Sequence, residues 1–124
     1  KLIKMMNNHM DYKLSIDEIH HVEKKDKPSG TAIRLAKDII KKSNYKSWSN
    51  SKKNDSIFIK SLRKNNVPGT HTVKYSSLID EIKITHKAKN RTGFAIGAVA
   101  AAEWIIGKTG VYGMDDVIKN IKIK

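Results

Sequence analysis

Apolar and polar residues recur along this chain with two different periods, and these periods predict its first elements. Between residues 12 and 21 every second residue falls on the same side of an extended backbone, which predicts a strand. One face of that strand would carry Tyr12, Leu14, Ile16, Glu18 and His20. The spacing then changes to i, i+3, i+4 and i+7, which is typical of an amphipathic helix, with an apolar side made of Ala32, Leu35, Ala36 and Ile39.

The remaining elements follow from similar patterns. Residues 1–11 begin in the middle of a helical pattern, as the end of a longer element would. The Ser-, Asn- and Lys-rich segment 43–56 predicts a mobile loop. After it we expect three strands, with a Pro68-Gly69 turn between the first two, then an apolar helix and a short second helix. These elements are predicted at 56–63, 70–77, 78–86, 92–106 and from Met114 onward.

The order of the predicted elements defines a fold class. The strands are grouped and the helices are segregated from them, which favours an α+β fold with an open mixed β-sheet and flanking helices. The 124 residues suffice for one domain with a modest core.

The absence of cysteine excludes a disulfide framework and a thiolate metal site. No secretory signal is visible, so we expect a cytoplasmic protein. The longest apolar stretch, from Phe94 to Ile106, is too short to cross a bilayer and contains Glu103. We therefore expect no membrane partner.

The net charge of +13 raises the alternative of a basic RNA-binding domain. Arginine is scarce, however, since it occurs only at residues 34, 63 and 91, and lysines are spread along the chain. Nucleic-acid readers favour arginine and aromatic platforms, so we expect no nucleic-acid partner.

Residues 18–32 concentrate the groups that could carry chemistry. Two histidines and several lysines precede a Pro-Ser-Gly-Thr turn that opens into the predicted helix. The free N–H groups of a helix N-terminus bind anions, Ser29 is a good N-cap, and Gly30 would let a ligand approach the backbone. This combination suits an anionic substrate that is protonated during reaction. Ser29 could equally be an ordinary helix cap. The adjacent histidines point to opposite faces of a strand, so we predict no metal site.

The order of residues also resembles a known family. His-His-x-x-Lys-x-Asp-x-Pro-Ser-Gly-Thr-Ala at residues 20–32 is similar to the signature of dihydrodipicolinate reductases. Further matching blocks follow in the family's order: Gly69-Thr-His-Thr-Val73, Ile84-Thr-His-Lys-Ala88, Arg91-Thr-Gly-Phe-Ala95 and Gly97-Ala-Val99. The resemblance implies the fold of the C-terminal domain of glyceraldehyde-3-phosphate dehydrogenase.

The resemblance also implies roles for single residues. His20 would be the acid/base residue and Lys24 a proton donor, with Asp26 orienting that lysine or capping the turn. The substrate-binding residues would be His21, Ser29, Gly30 and Thr31. Arg91 and Phe94 would reach the cofactor, NADPH or NADH, from the substrate side. The sequence departs from the usual motif at Lys27 and at Val22-Glu23, which bears on affinity and cofactor preference. His71 and His86 favour structural roles.

The implied activity is the NAD(P)H-dependent reduction of a cyclic dicarboxylate, 4-hydroxy-tetrahydrodipicolinate, in lysine (diaminopimelate) biosynthesis by a homotetramer. Residues 1–90 would bind substrate and assemble the tetramer, and residues 91–124 would return to a dinucleotide-binding domain. By the same resemblance that domain would precede Lys1. The chain itself contains no Gly-x-Gly-x-x-Gly motif that would argue for a nucleotide site of its own. The alternative is a non-catalytic dicarboxylate-binding or oligomerisation module; intact His20 and Lys24 favour the enzyme.

Overall fold

The structure is a computed structural model that describes residues 1–120. The chain forms two compact units, Lys1–Lys89 and Asn90–Lys124. Residues 121–124, at the end of the predicted C-terminal segment, lie outside the described residues.

The first unit is an open, mixed sheet with flanking helices, as predicted, and the sheet has five strands. The strand order is β2-β3-β1-β4-β5. Strand β3 runs parallel to both β1 and β2, whereas β4 runs antiparallel to β1 and β5. The elements are α1 (Leu2–Met6), β1 (Lys13–His20), α2 (Gly30–Ile40), β2 (Ser47–Ser49), β3 (Ser56–Arg63), β4 (Thr70–Ser76) and β5 (Glu81–Lys87).

The central strand β1 is half-buried, as its alternating sequence predicts. Leu14, Ile16, Glu18 and His20 are buried, and the residues between them are partly exposed. Helix α2 covers the apolar part of the buried face through Ala32 and Ala36, whose small side chains let the helix approach the sheet. Burial of each large aliphatic side chain in this core contributes about 1.5–3 kcal/mol of transfer free energy. The core consists of Leu14, Ile16, Ala32, Ala36, Ile57, Ile59 and Tyr75.

The buried face of the sheet changes from apolar to polar along β1. Ile16 lies opposite Ile59 on one side and Val73 on the other, all apolar. Two residues further on, Glu18 lies opposite Ser61 and His71. His20 then pairs with Arg63. Because opposite residues of adjacent strands share a face, the strand register gathers these polar side chains at one end of the core. We call residues 18, 20, 61, 63 and 71 the polar end of the sheet.

Three details differ from the sequence-based expectations. The predicted loop 43–56 contains the three-residue strand β2, which pairs with β3. Strand β5 begins at Glu81 rather than at residue 78, and Leu78 lies exposed in the preceding turn. The predicted strand 70–77 has a polar face that carries Thr, Lys, Ser and Tyr, which predicts exposure of Tyr75, but Tyr75 is buried in the core opposite Leu14. An aromatic ring in that position closes the core between β1 and β4.

The second unit contains two helices, α3 (Thr92–Trp104) and α4 (Met114–Asn120), as predicted. The apolar composition of α3 predicts burial, but every residue of this helix is at least partly exposed in the described chain. Val117 on α4 is buried. None of the described helices combines the length and hydropathy that a membrane crossing requires.

Candidate active site

The carboxylate of Glu18 is the centre of the polar end of the sheet. The residue is fully buried. Its Oε2 contacts Nδ1 of His20. Its Oε1 accepts hydrogen bonds from the backbone N–H of Ser29, at 3.3 Å, and from Nη1 of Arg63, at 3.1 Å. One carboxylate therefore joins the predicted acid/base histidine to the start of helix α2.

Glu18 is ionised despite its burial. Burial alone would raise its pKa, but hydrogen bonds from Ser61, Arg63 and His20, together with the positive charge of Arg63, outweigh that effect and lower the pKa below its ordinary value. Ser61 lies opposite Glu18 in β3, and its buried hydroxyl makes no hydrogen bond of ordinary geometry, so Arg63 and His20 are the firm partners. A buried carboxylate that stays charged can act as a permanent hydrogen-bond acceptor.

Arg63 holds the loop that connects β1 to α2. Its Nε donates to the backbone carbonyl of Lys24, at 3.2 Å, and its Nη2 donates to the carbonyl of Asp26, at 2.6 Å. The backbone N–H of Lys64 donates to the carbonyl of His20, at 2.8 Å. The guanidinium fork thus ties both the loop backbone and Glu18 to the end of β3.

Lys24 and Asp26 form an ion pair on this loop. Nζ of Lys24 lies 2.8 Å from Oδ1 of Asp26, and the lysine side chain is 23% exposed. The hydrogen bond from Lys24 lowers the pKa of Asp26. Of the two roles we expected for Asp26, the structure therefore shows the contact that orients Lys24.

Ser29 begins helix α2, as predicted. Its Oγ accepts a hydrogen bond from the backbone N–H of Ala32, at 3.2 Å, and the residue is buried. The peptide bond between Lys27 and Pro28, just before it, is cis. Gly30 and Thr31 are exposed, and a Cβ at residue 30 would meet no atom within 4 Å. The first turn of α2 is therefore exposed at Gly30 and Thr31, with open space beside Gly30.

His71 joins the site, although its sequence context favoured a structural role. Its Nε2 lies 3.1 Å from Oγ of Ser29, and its ring packs edge-on against His20 with centroids 5.0 Å apart. Burial lowers the pKa of His71, and the neighbouring His20 lowers it further against the opposing effect of Glu18. Because Ser29 Oγ already accepts from Ala32, its hydroxyl proton is free to point at the neutral His71 ring.

Glu18, His20 and His71 could together hold a metal ion by geometry alone, because one donor atom from each lies within 4.8 Å of the others. Each of those side chains already has a protein partner: Arg63 for Glu18, Glu18 for His20, and Ser29 for His71. A hydrogen-bonded network accounts for the cluster, and a site without metal remains our prediction.

His21 directly follows the end of β1 and is partly exposed. Its Nδ1 is buried without a hydrogen-bond partner, and Oε2 of Glu23 is 3.6 Å away. Arg91 and Phe94 belong to the second unit, at the start of α3, and are not among the residues that the sheet gathers. Arg91 occupies the N-cap position without a side-chain cap, and Phe94 is 53% exposed.

The fold and the site together define an α+β domain in which an open sheet ends in a buried ionic cluster beside a helix N-terminus, an arrangement suited to a small anion. The comparisons with known proteins give the family. The family model described as "Dihydrodipicolinate reductase, C-terminus" matches residues 1–118. The chain belongs to the dihydrodipicolinate reductase family.

The curated relatives bear the name 4-hydroxy-tetrahydrodipicolinate reductase. The protein of Christiangramia forsetii is 51% identical over 98% of this chain and 52% of its own length. That of Thermosipho africanus is 42% identical over 96% of this chain and 48% of its own. The chain thus spans about half the length of the curated relatives it matches.

A solved structure has the same fold. It is a dipicolinate-bound dihydrodipicolinate reductase from Paenisporosarcina sp. TG-14, which superposes with a TM-score of 0.65 at 22% identity over 93% of this chain and 48% of its own. This likeness confirms the predicted open mixed sheet with flanking helices.

Proposed function

We propose that this chain is the substrate-binding and catalytic part of a 4-hydroxy-tetrahydrodipicolinate reductase that acts in lysine biosynthesis in the cytoplasm. One observation carries the proposal: Glu18 and Arg63 hold a histidine, a lysine-bearing loop and an open helix N-terminus together at one end of the sheet. A cyclic dicarboxylate needs both an anion cradle and a proton donor.

The cradle is the first turn of α2. We assign a substrate carboxylate to the N–H groups of Gly30 and Thr31 and to the hydroxyl of Thr31. Ser29 supports this site as the N-cap of the same turn, and its hydroxyl faces Ala32 and His71. His21 contacts the substrate through its ring, whose buried Nδ1 has no hydrogen-bond partner among the described residues. Two carboxylates on the substrate also account for the use of a lysine-rich loop, since each added cation lowers the free energy of the bound dianion.

His20 and Lys24 supply the protons. His20 is held by a charged acceptor and lies beside a second, neutral imidazole. Lys24 is oriented by Asp26. A general acid placed in this way contributes typically about 10²–10⁴ in rate.

A reduced nicotinamide cofactor supplies the hydride when it is bound. The residues of this chain that we assign to it are Arg91, a cation at the N-cap of α3, and Phe94, a half-exposed ring in the first turn of that helix. Their chemistry fits the charged and aromatic parts of a dinucleotide. The choice between NADPH and NADH belongs to the dinucleotide-binding part of the enzyme.

Dipicolinate binding tests the substrate assignment. We expect the 124-residue chain to bind dipicolinate weakly in calorimetric titration and to show no hydride transfer from NADPH or NADH. Joined to the N-terminal half of the Christiangramia forsetii reductase, it should reduce 4-hydroxy-tetrahydrodipicolinate.

Variants of that chimera test the proton donors. His20→Ala and Lys24→Ala should each lower kcat about 10²–10⁴-fold while dipicolinate affinity changes far less. Lys53→Ala, in the exposed loop before β3, is the matched control and should leave kcat unchanged. Wild-type turnover in both site variants would show that the protons come from elsewhere. A chimera that binds dipicolinate without turnover would favour the alternative, a non-catalytic dicarboxylate-binding module.

A further inference from the structure

Glu18 is the only acidic residue among the fully buried side chains of the described residues. Its two carboxylate oxygens contact different groups. Oε2 faces the imidazole of His20. Oε1 faces two donors, the N–H of Ser29 and Nη1 of Arg63. The two oxygens are therefore not interchangeable, because their neighbours differ in what they can donate or accept.

We propose that Glu18 is a positioning residue that fixes His20 as the tautomer with its proton on Nδ1. An ionised carboxylate is an acceptor only, so the nitrogen that faces it must be a donor. In the neutral ring the lone pair then lies on Nε2, and Nε2 becomes the atom that exchanges a proton with substrate. The proton exchange between Nε2 and substrate rests on the proposed function, whereas the assignment of the tautomer does not.

The surroundings of Nε2 agree with this assignment. A Cβ at residue 69 would lie 3.2 Å from Nε2 of His20 and 3.5 Å from its Cδ2. Glycine at this position leaves the room that the ring needs when Nδ1 points at Glu18. The glycine at residue 69 and the contact between Nδ1 and Glu18 therefore support the same orientation of the His20 ring.

Arg63 makes the arrangement possible. An uncompensated carboxylate inside the core would be costly, and the guanidinium offsets that cost while it also holds the carbonyls of Lys24 and Asp26. Glu18 and Arg63 thus form one connected group of hydrogen bonds. This group sets the tautomer of His20, the position of the loop that bears Lys24 and the position of the N-terminus of α2.

The Glu18→Gln variant gives a specific expectation. Arg63 and the Ser29 N–H are both donors, so the carbonyl oxygen of the new amide should turn towards them. Its NH₂ group would then face His20 and require Nδ1 as an acceptor. The substitution should therefore invert the tautomer of the neutral ring, with the proton moving to Nε2.

Two-bond ¹H–¹⁵N correlation spectra of the 124-residue chain report this directly. At a pH where the ring is neutral, wild-type His20 should show the Nδ1–H pattern and the Glu18→Gln variant the Nε2–H pattern. The control, Glu81→Gln, removes one carboxylate from the exposed pairs with Lys74 and Lys83 and should leave His20 unchanged. An Nε2–H pattern in the wild type would overturn the proposal even where the variant does not fold, as would an unchanged pattern in a folded variant.

Kinetics of the chimera test the link to catalysis. Glu18→Gln should lower kcat by about 10²-fold or more with a smaller change in KM, by analogy with other histidines held in the wrong tautomer. Inversion of the tautomer with unchanged kcat would overturn the catalytic consequence. An inactive wild-type chimera would count against the proposed function instead, and the spectra would still decide the role of Glu18.

Discussion

The half-buried histidine His71 makes the stability of this chain depend on pH. Its pKa in the folded state is lowered from the ordinary value of 6.5, chiefly by burial. The titratable groups that face it are His20, His86 and Lys24, which lower the pKa further, and Glu18, which opposes them. The unfolded chain therefore binds a proton more readily than the folded one. The stabilising contribution is complete above about pH 6.5 and is lost as the pH falls through the folded-state pKa.

We expect the free energy of unfolding in urea to fall between pH 7 and pH 5, by at most about 1.4 kcal/mol per pH unit for this one proton. His71→Gln keeps an acceptor for Ser29 and should flatten that part of the profile. His9→Gln changes an exposed histidine and should not. Parallel profiles for wild type and His71→Gln would contradict the expectation.

Single residues also show how far the sequence predicts the site. His20, Lys24 and Ser29 lie in one motif, and their local roles as a strand residue, a loop cation and a helix cap follow from neighbours in sequence. Glu18 and Arg63 were missed as partners because 45 residues separate them. Only the register of β1 against β3 brings them together, and the residue types alone do not specify that register. The alternation that placed Glu18 and His20 on the buried face of β1 was the available signal.

The N-terminus of helix α2 connects stability with binding. Ser29 caps the helix through Ala32 and faces the proposed anion site through the same turn. Ser29→Ala should lower the free energy of unfolding by about 1 kcal/mol, since loss of an N-cap costs about 0.5–2 kcal/mol. It should also weaken dipicolinate binding.

Ser43→Ala is the control for this substitution, because Ser43 lies in the turn after α2, where its Oγ accepts the N–H of Tyr45. It should change neither quantity appreciably. Chemical denaturation measures the stability of both variants, and calorimetric titration measures their affinity for dipicolinate. If Ser29→Ala weakens dipicolinate binding no more than Ser43→Ala does, Ser29 is not part of the anion site.

The long elements follow from the sequence, and the short ones depend on tertiary contacts. Strand β1 and helix α2 have clear periods and apolar faces. Strand β2 has three residues, Ser-Trp-Ser, in a polar segment, and it exists because β3 offers a free edge for pairing. The strand predicted at 78–86 starts before β5 does, because Leu78 fits the alternation of apolar residues in that segment. In the structure Ser77 and Asp80 close a turn at this point, and β5 begins after it.

The chain as a whole combines a large positive charge with exposed apolar side chains. The net charge is +13, and residues of β5 and α3 such as Ile82, Ile84, Ile96 and Val99 are between 37% and 64% exposed. Closed symmetric assembly is the common way to bury such surfaces. We propose that the chain forms a homotetramer, and charge repulsion between copies should weaken that assembly at low salt.

Sedimentation at low and at physiological ionic strength measures how the association state of the chain depends on salt. Association should strengthen as salt rises, the reverse of nucleic-acid binding. Ile84→Asp should weaken association, whereas Met10→Asp, at an exposed position after α1, should not. A monomer under both conditions, well above micromolar concentration, would count against the tetramer.

The central place of β1 has a consequence for how the protein is made. Both of its neighbours in the sheet, β3 and β4, come later in the chain. During synthesis β1 therefore leaves the ribosome with both edges unpaired, and its apolar side waits for partners more than 40 residues away. Such non-local pairing is slow and leaves an intermediate open to aggregation. Glu18, Arg63 and His71 meet only once both β3 and β4 have paired with β1, so the proposed anion site forms after these two pairings and not before.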